Sequence, residues 1–289
     1  MPTPPQILAP HVRDLGGFTV RRVLPAFERK MVGPFVFFDH MGPVAFAPGD
    51  GIDVRPHPHI GLATVTYLFE GAILHRDNLG NVQRIEAGDV NWMTAGRGIV
   101  HSERTAPEDR DRGIRMHGLQ TWVALPRAHE ATEPSFTHVD RDRLPRLEQD
   151  GARLTIVAGH AFGLAAPTPT FSDTLYVAAE LEGDATFIVA TEHEERAVYV
   201  VAGEVTIDGD AVPEAHMAVL PDGDEALVQS RGAARIMLVG GAKLDGDRFV
   251  WWNFVASSRE AIEQAKSDWR ERRYAPIAGE TEFIPLPER

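Results

Sequence analysis

Two short dyads, His57-Pro58-His59 and His101-Ser102-Glu103, carry residue types and a spacing that can do chemistry. On a β-strand, residues i and i+2 point to the same face, about 7 Å apart. Each dyad therefore offers two ligands to one side of a sheet. If the two strands are neighbours facing inward, three imidazoles and one carboxylate converge on one ion. Such a set suits a borderline or moderately hard divalent metal, Fe(II) first, with Ni, Cu, Zn, Mn or Co as competitors. Four protein ligands on a six-coordinate ion leave two positions for water, substrate or O₂. That is the layout of a catalytic or sensing site.

Such dyads need short strands to hold them, and the chain supplies them. Val65–Phe69 is rich in β-branched and aromatic residues and is ended by Gly71. Ile73–Arg76 runs into Asp77-Asn78-Leu79-Gly80-Asn81, a hairpin turn, with Val82–Ile85 as the return strand. Val90–Met93 and Met116–Leu125 read as further strands, and this close spacing predicts a barrel or sandwich. Pro126–Asp150 is polar, charged and proline-bearing, and reads as a linker between domains 1–130 and 131–289. The second half is again β-rich. Phe187–Ala190, Ala197–Ala202, Ala218–Leu220 and Ala234–Val239 read as strands, and Gly203-Glu204 as a turn. Tyr67–Gly71 aligns with Tyr199–Gly203, which hints at an internal duplication. A helix is predicted from Ala261 to Arg272, with Ser257 and Glu260 in capping-box spacing. The apolar run Phe249–Val255 before it reads as core packing.

Bulk properties exclude several classes. With 289 residues, 43% of them hydrophobic, the chain is long enough for two cores. It has no cysteine, so disulfides, thiolate metal sites and cysteine nucleophiles are ruled out. A net charge of −13, spread along the chain, argues against direct binding to nucleic acid. The start Met1-Pro2-Thr3-Pro4-Pro5 does not read as a signal peptide, and no apolar run approaches a membrane span. A soluble cytoplasmic protein is the expectation.

Set among their neighbours, the dyads resemble the cupin superfamily and, within it, the pirin family. Gly51 is followed by five residues and then His57-Pro58-His59, and Gly98-Ile99-Val100-His101 ends the second cupin motif. The pirin-like stretches are Thr94–Glu103 and Gly33–Asp39, and Trp252-Asn253-Phe254-Val255 has a similar look. The resemblance implies an all-β fold of two tandem jelly-roll-type cupin barrels with a short C-terminal helix. It also implies that His57, His59, His101 and Glu103 hold one iron. Two departures stand out: Ala63 lies where pirins often have Glu, and the proline of the second cupin motif is missing near Gly96. Neither removes a proposed ligand.

Outside the dyads, simpler readings are preferred. His40, His75 and His117 read as hydrogen-bonded or surface histidines. Asp39 and Arg97 read as turn-forming residues or supports behind the ligands. Phe35, Phe37, Trp92 and Met93 read as core, and Glu194 and Glu195 as a solvated face. The second half has no His-X-His, and His216 stands alone, so the second barrel is expected to be metal-free. By resemblance, the leading function is a dioxygenase acting with O₂ on a flavonol such as quercetin, with Glu103 as catalytic base. The alternative is a non-enzymatic iron-dependent regulator that binds a protein partner. A cupin-type isomerase ranks third.

Overall fold

The computed structural model describes residues 3–15 and 17–288, so Met1-Pro2 of the N-terminal reading lies outside them. Over the described residues the fold is all-β, two cupin barrels with two short α-helices. Among the described residues, no helix is long and apolar enough to cross a membrane.

The first unit comprises Met41–Arg141 and the chain from Leu244 onward, with Asp14–Thr19. Its first sheet runs in the order Ser135–Val139, Val90–Thr94, Leu62–Glu70, Ile114–Ala124, Phe35–Phe46. Its second runs Asp53–His59, Ile99–Arg104, Ala72–Asp77, Val82–Glu86. The hairpin expected around Asp77–Asn81 joins the last two of these strands. The sheets close on one another: Thr66 on the first hydrogen-bonds Glu103 on the second, and the Trp122 ring meets His59.

The second unit comprises the N-terminal segment up to Arg13, Val20–His40 and Asp142–Lys243. Its central strands are Glu195–Ile207, Ala226–Gly241, Thr174–Leu181 and Ala152–Ala161, each antiparallel to the next. They enclose an aliphatic core that includes Leu154, Ile156, Val177, Val198, Val200, Ile236 and Leu238. Gly203 is not the turn that its sequence suggests. The strand runs on through it, with register shifts at Val200/Ala202 and Ala202/Glu204 that bend the long strand, and Gly203 itself takes φ +92°.

The chain changes unit between Arg141 and Asp142. Ser135–Val139, inside the expected linker, extends the first unit's sheet by pairing with Val90–Thr94. The apolar run forms a hairpin, Phe249–Trp251 with Phe254–Ala256, and the helix Arg259–Arg270 packs Ile262 and Ala265 against it. Phe254 and Ala256 in turn share a core with Ile60, so this C-terminal material belongs with the first unit. The helix cap also differs by one residue. Ser258 Oγ accepts the Ala261 N–H, while Ser257 Oγ donates to Glu130.

Candidate metal centre

The ligand strands Asp53–His59 and Ile99–Arg104 are antiparallel neighbours with His57 directly opposite His101 and His59 opposite Ile99. Between the His57 pair and the Val54–Glu103 pair, the Asp53–His59 strand carries one extra residue at Arg55-Pro56. Pro56 suits this bulge because it has no N–H to give to the ladder. On its other side Ile99–Arg104 pairs without a shift, His101 opposite Asp77 and Glu103 opposite His75. The inward face of the second sheet thus carries His57, His59, His101, Glu103 and His75 together.

Three of the four expected donors meet at one point. Ring nitrogens of His57, His59 and His101 lie within 4.8 Å of one another. The ring centroids are 4.4–5.0 Å apart. Glu103 stands outside that trio, its Oε1 accepting a 3.3 Å bond from the Thr66 hydroxyl. His57 Nδ1–H donates to the Arg55 carbonyl at 2.9 Å and His59 Nδ1–H to the Asn253 carbonyl at 3.0 Å. A carbonyl only accepts, so both rings carry their proton on Nδ1 and turn the Nε2 lone pair to the centre. Among the described residues His101 has no hydrogen-bond partner at either nitrogen, although both are buried. An orphaned imidazole between two rings locked for coordination fits a divalent metal.

Electrostatics favour the same state. Burial lowers the His57 pKa to about 4, against the opposing bond to the Arg55 carbonyl. Burial likewise pulls His59 and His101 well below the usual imidazole value, and neighbouring imidazoles add to it. Lone pairs are therefore available at neutral pH. Burial raises the Glu103 carboxyl, which the Thr66 bond only partly offsets, so its carboxylate is a stronger base than an exposed one.

Around the trio the interior is mixed. His75 is buried, bonded through Nε2 to Asp77 at 3.1 Å and stacked on Phe136 with centroids 4.3 Å apart. Asp77 also accepts from the Leu79 and Asn81 backbone. Gln120 Oε1 lies 2.8 Å from the same Thr66 oxygen, so the one hydroxyl proton is shared between Gln120 and Glu103. The Asn253 carbonyl was not foreseen as part of the site, because a backbone acceptor leaves no mark in the sequence. It reaches His59 because Ile60 bridges Phe254, an approach so close that a Cβ on Gly61 (φ +67°) would lie 1.9 Å from the Val255 oxygen.

The remaining expectations sort as follows. Phe35, Phe37, Trp92 and Met93 are core. His40 is buried and hydrogen-bonded to the Tyr199 hydroxyl at 2.7 Å, and His117 packs on Phe69. Asp39 is held by Arg22 through two bonds, and Arg97 pairs with Glu133 at the surface. Glu195 departs from the solvated face expected of it. It is buried, accepting from Arg29 at 2.8 Å and from the Gly33 N–H at 2.6 Å.

Two cupin barrels, one with three inward imidazoles on adjoining strands, define a bicupin with a candidate metal centre, and comparison with known proteins narrows the class. The model of the pirin family matches residues 17–123, and that of the pirin C-terminal cupin domain matches residues 176–275. The chain belongs to the pirin family. It is 50% identical over 280 residues to a pirin-like protein of Caulobacter vibrioides, covering 96% of each chain. It is 31% identical to human pirin over 268 residues, covering 88% of this chain and 87% of that one. The crystal structure of a quercetin 2,3-dioxygenase from Acinetobacter baumannii superposes with a TM-score of 0.87 at 32% identity, covering 98% and 96% of the two chains.

Proposed function

We propose that this pirin is an Fe(II)-dependent dioxygenase acting on flavonols such as quercetin, with His57, His59 and His101 holding the ion. The observation that carries the reading is the orphaned, fully buried His101 between two imidazoles whose tautomers are fixed for coordination. The likeness to the Acinetobacter quercetin 2,3-dioxygenase supports the substrate class. When bound, the metal supplies a Lewis acid and open positions for a chelating hydroxyketone and O₂. Glu103 is the fourth donor in this reading and also the proton acceptor. Its carboxylate takes the flavonol 3-hydroxyl proton, a task that its burial strengthens and the Thr66 hydroxyl steadies. Trp122, Phe136 and His75 wall the interior with rings against which a flat aromatic substrate can pack.

Oxygen uptake by iron-loaded protein on adding quercetin, with metal content quantified, tests the reading. Uptake should match flavonol loss. Glu103→Gln should lower turnover by roughly 10²–10⁴-fold while leaving most of the iron in place. Equal loss of iron and turnover would make Glu103 a ligand only. No uptake by fully loaded wild-type protein would reject the flavonol.

A further inference from the structure

The second unit has no His-X-His and an aliphatic interior, yet one end of its sheet gathers two imidazoles and a carboxylate. The register dictates this. Gly159 pairs with Leu175, Thr174 with Gly241, and Gly241 with Glu195, so His160, Asp173 and His193 come to the same rim from three strand ends. His160 Nε2 lies 2.8 Å from Asp173 Oδ1, and His193 Nδ1 lies 2.8 Å from Asp173 Oδ2. The two rings are 4.6 Å apart. His193 is enclosed, with 2% of its side chain exposed, while His160 (53%) and Asp173 (33%) open to solvent.

Two details separate this cluster from an ordinary ion pair. His193 Nε2 lies 2.9 Å from the His160 carbonyl, which can only accept, so Nε2 carries the proton and Nδ1 is the nitrogen aimed at Asp173. That contact has hydrogen-bond alignment, so Nδ1 either carries a second proton or shares a cation with Asp173. A second ring proton would satisfy the His193 contact alone. It leaves Asp173 Oδ1 unexplained: among the described residues this buried oxygen accepts no hydrogen bond, although His160 Nε2 is beside it. Close approach without hydrogen-bond alignment is how two donors of one metal ion stand. Donors about 2.1 Å from an ion and near right angles to one another are about 3 Å apart. The cluster of Asp89, His138 and Asp140 in the first unit makes the contrast. There Asp89 spends Oδ1 on the Arg141 N–H and Oδ2 on the Glu86 N–H, so its oxygens are already engaged.

We propose that His160, Asp173 and His193 form a second divalent-metal site, on the rim of the second barrel. Two imidazoles and one carboxylate, with the remaining positions open to water, select a borderline transition ion such as Zn(II), Co(II), Ni(II) or Fe(II) over Mg(II) or Ca(II). The site is independent of the interior centre and of the flavonol reading.

Equilibrium dialysis of the full-length protein against Co(II) or Zn(II) at micromolar concentration, with metal counted per chain, tests it. Wild type should hold two equivalents and His101→Ala one. Adding Asp173→Asn or His160→Ala to His101→Ala should weaken that remaining equivalent by at least about tenfold. His160 is exposed, so its removal leaves the core intact, and a melting curve alongside each variant checks this. The Co(II) visible spectrum of His101→Ala should vanish with the same substitutions. A His101→Ala protein that binds no stoichiometric metal would overturn the site. So would a remaining equivalent indifferent to both Asp173→Asn and His160→Ala. The cluster would then be an ion pair.

Discussion

In the first unit the strands Leu62–Glu70 and Ile99–Arg104 turn Thr66, His101 and Glu103 inward, whereas in the second Glu195–Ile207 and Ala226–Gly241 turn Val198, Val200, Ile236 and Leu238 inward. Both are antiparallel barrels of one superfamily. Burial of aliphatic side chains stabilises the second outright. The first carries buried imidazoles whose nitrogens must be satisfied by carbonyls, carboxylates or an ion. The fold therefore does not select for a site; interior residue identity does. The second barrel's core cluster is aliphatic, and His160, Asp173 and His193 stand at its rim.

Making the first interior resemble the second should have the largest effect. His101→Leu removes a donor and both orphaned nitrogens at once. Metal binding at the interior centre and oxygen consumption should be abolished. Yet the metal-free variant should be as stable as metal-free wild type, or more stable by roughly 1–3 kcal/mol, because two unsatisfied buried atoms are gone. Thermal unfolding of both proteins in chelator checks this. A metal-free variant that melts well below metal-free wild type would mean that His101 supports the barrel on its own, and the contrast drawn above would fail.

The two interiors were unequally legible in the sequence. The His57 and His101 dyads could be read because a strand's period of two is visible in the text, and because each imidazole comes from a side chain. The hairpin at Asp77–Asn81 was legible for a similar reason, since turn chemistry is local. The Arg55-Pro56 bulge was not, because its register depends on the partner strand. The Asn253 carbonyl was hidden because any residue offers one. The expected linker Pro126–Asp150 does contain the change of unit, between Arg141 and Asp142, but it also holds the strand Ser135–Val139, because a polar edge strand looks like a loop until its neighbour is known. His160, Asp173 and His193 have no motif spacing at all, since three separate strand ends deliver them.

The imidazoles of the first interior are held differently from the aliphatic core of the second. The aliphatic side chains of the second interior are placed by packing on one another, whereas His59 depends on a backbone carbonyl delivered by the Phe249–Ala256 hairpin. Gly61→Ala would drive a methyl group into the Val255 oxygen at a positive φ and push that hairpin away. Affinity at the interior centre should fall by about 10–100-fold, the usual cost of losing an orienting partner. Calorimetric titration with the chosen metal measures it. Unchanged affinity would show that the Asn253 bond is incidental to the ligand.

A weaker support lies on the outer face of the same strand. Ser102 and Arg104 alternate with His101 and Glu103, and both donate to Glu280 on the C-terminal tail. The Ser102 bond is 2.9 Å, and the Arg104 bonds are 3.0 and 2.7 Å. The tail then crosses to the other ligand strand, where the Ile284 N–H donates to the Pro56 carbonyl at 2.8 Å. Hydrogen bonding from Arg104 holds the Glu280 carboxyl below its ordinary range. A depressed carboxylate contributes stability above its unfolded pKa, about 4.3, and loses it as pH falls through the folded value. Glu280 is partly open to solvent, so Glu280→Gln should cost under about 1 kcal/mol at neutral pH. Melting temperatures of variant and wild type should converge in acid. Metal affinity in the variant should stay at the wild-type value, because His101 is placed by its two neighbouring strands rather than by the tail. A marked loss of affinity in Glu280→Gln would put the tail among the elements that build the site, and the first interior would then depend on its outside as well as on its own ladder.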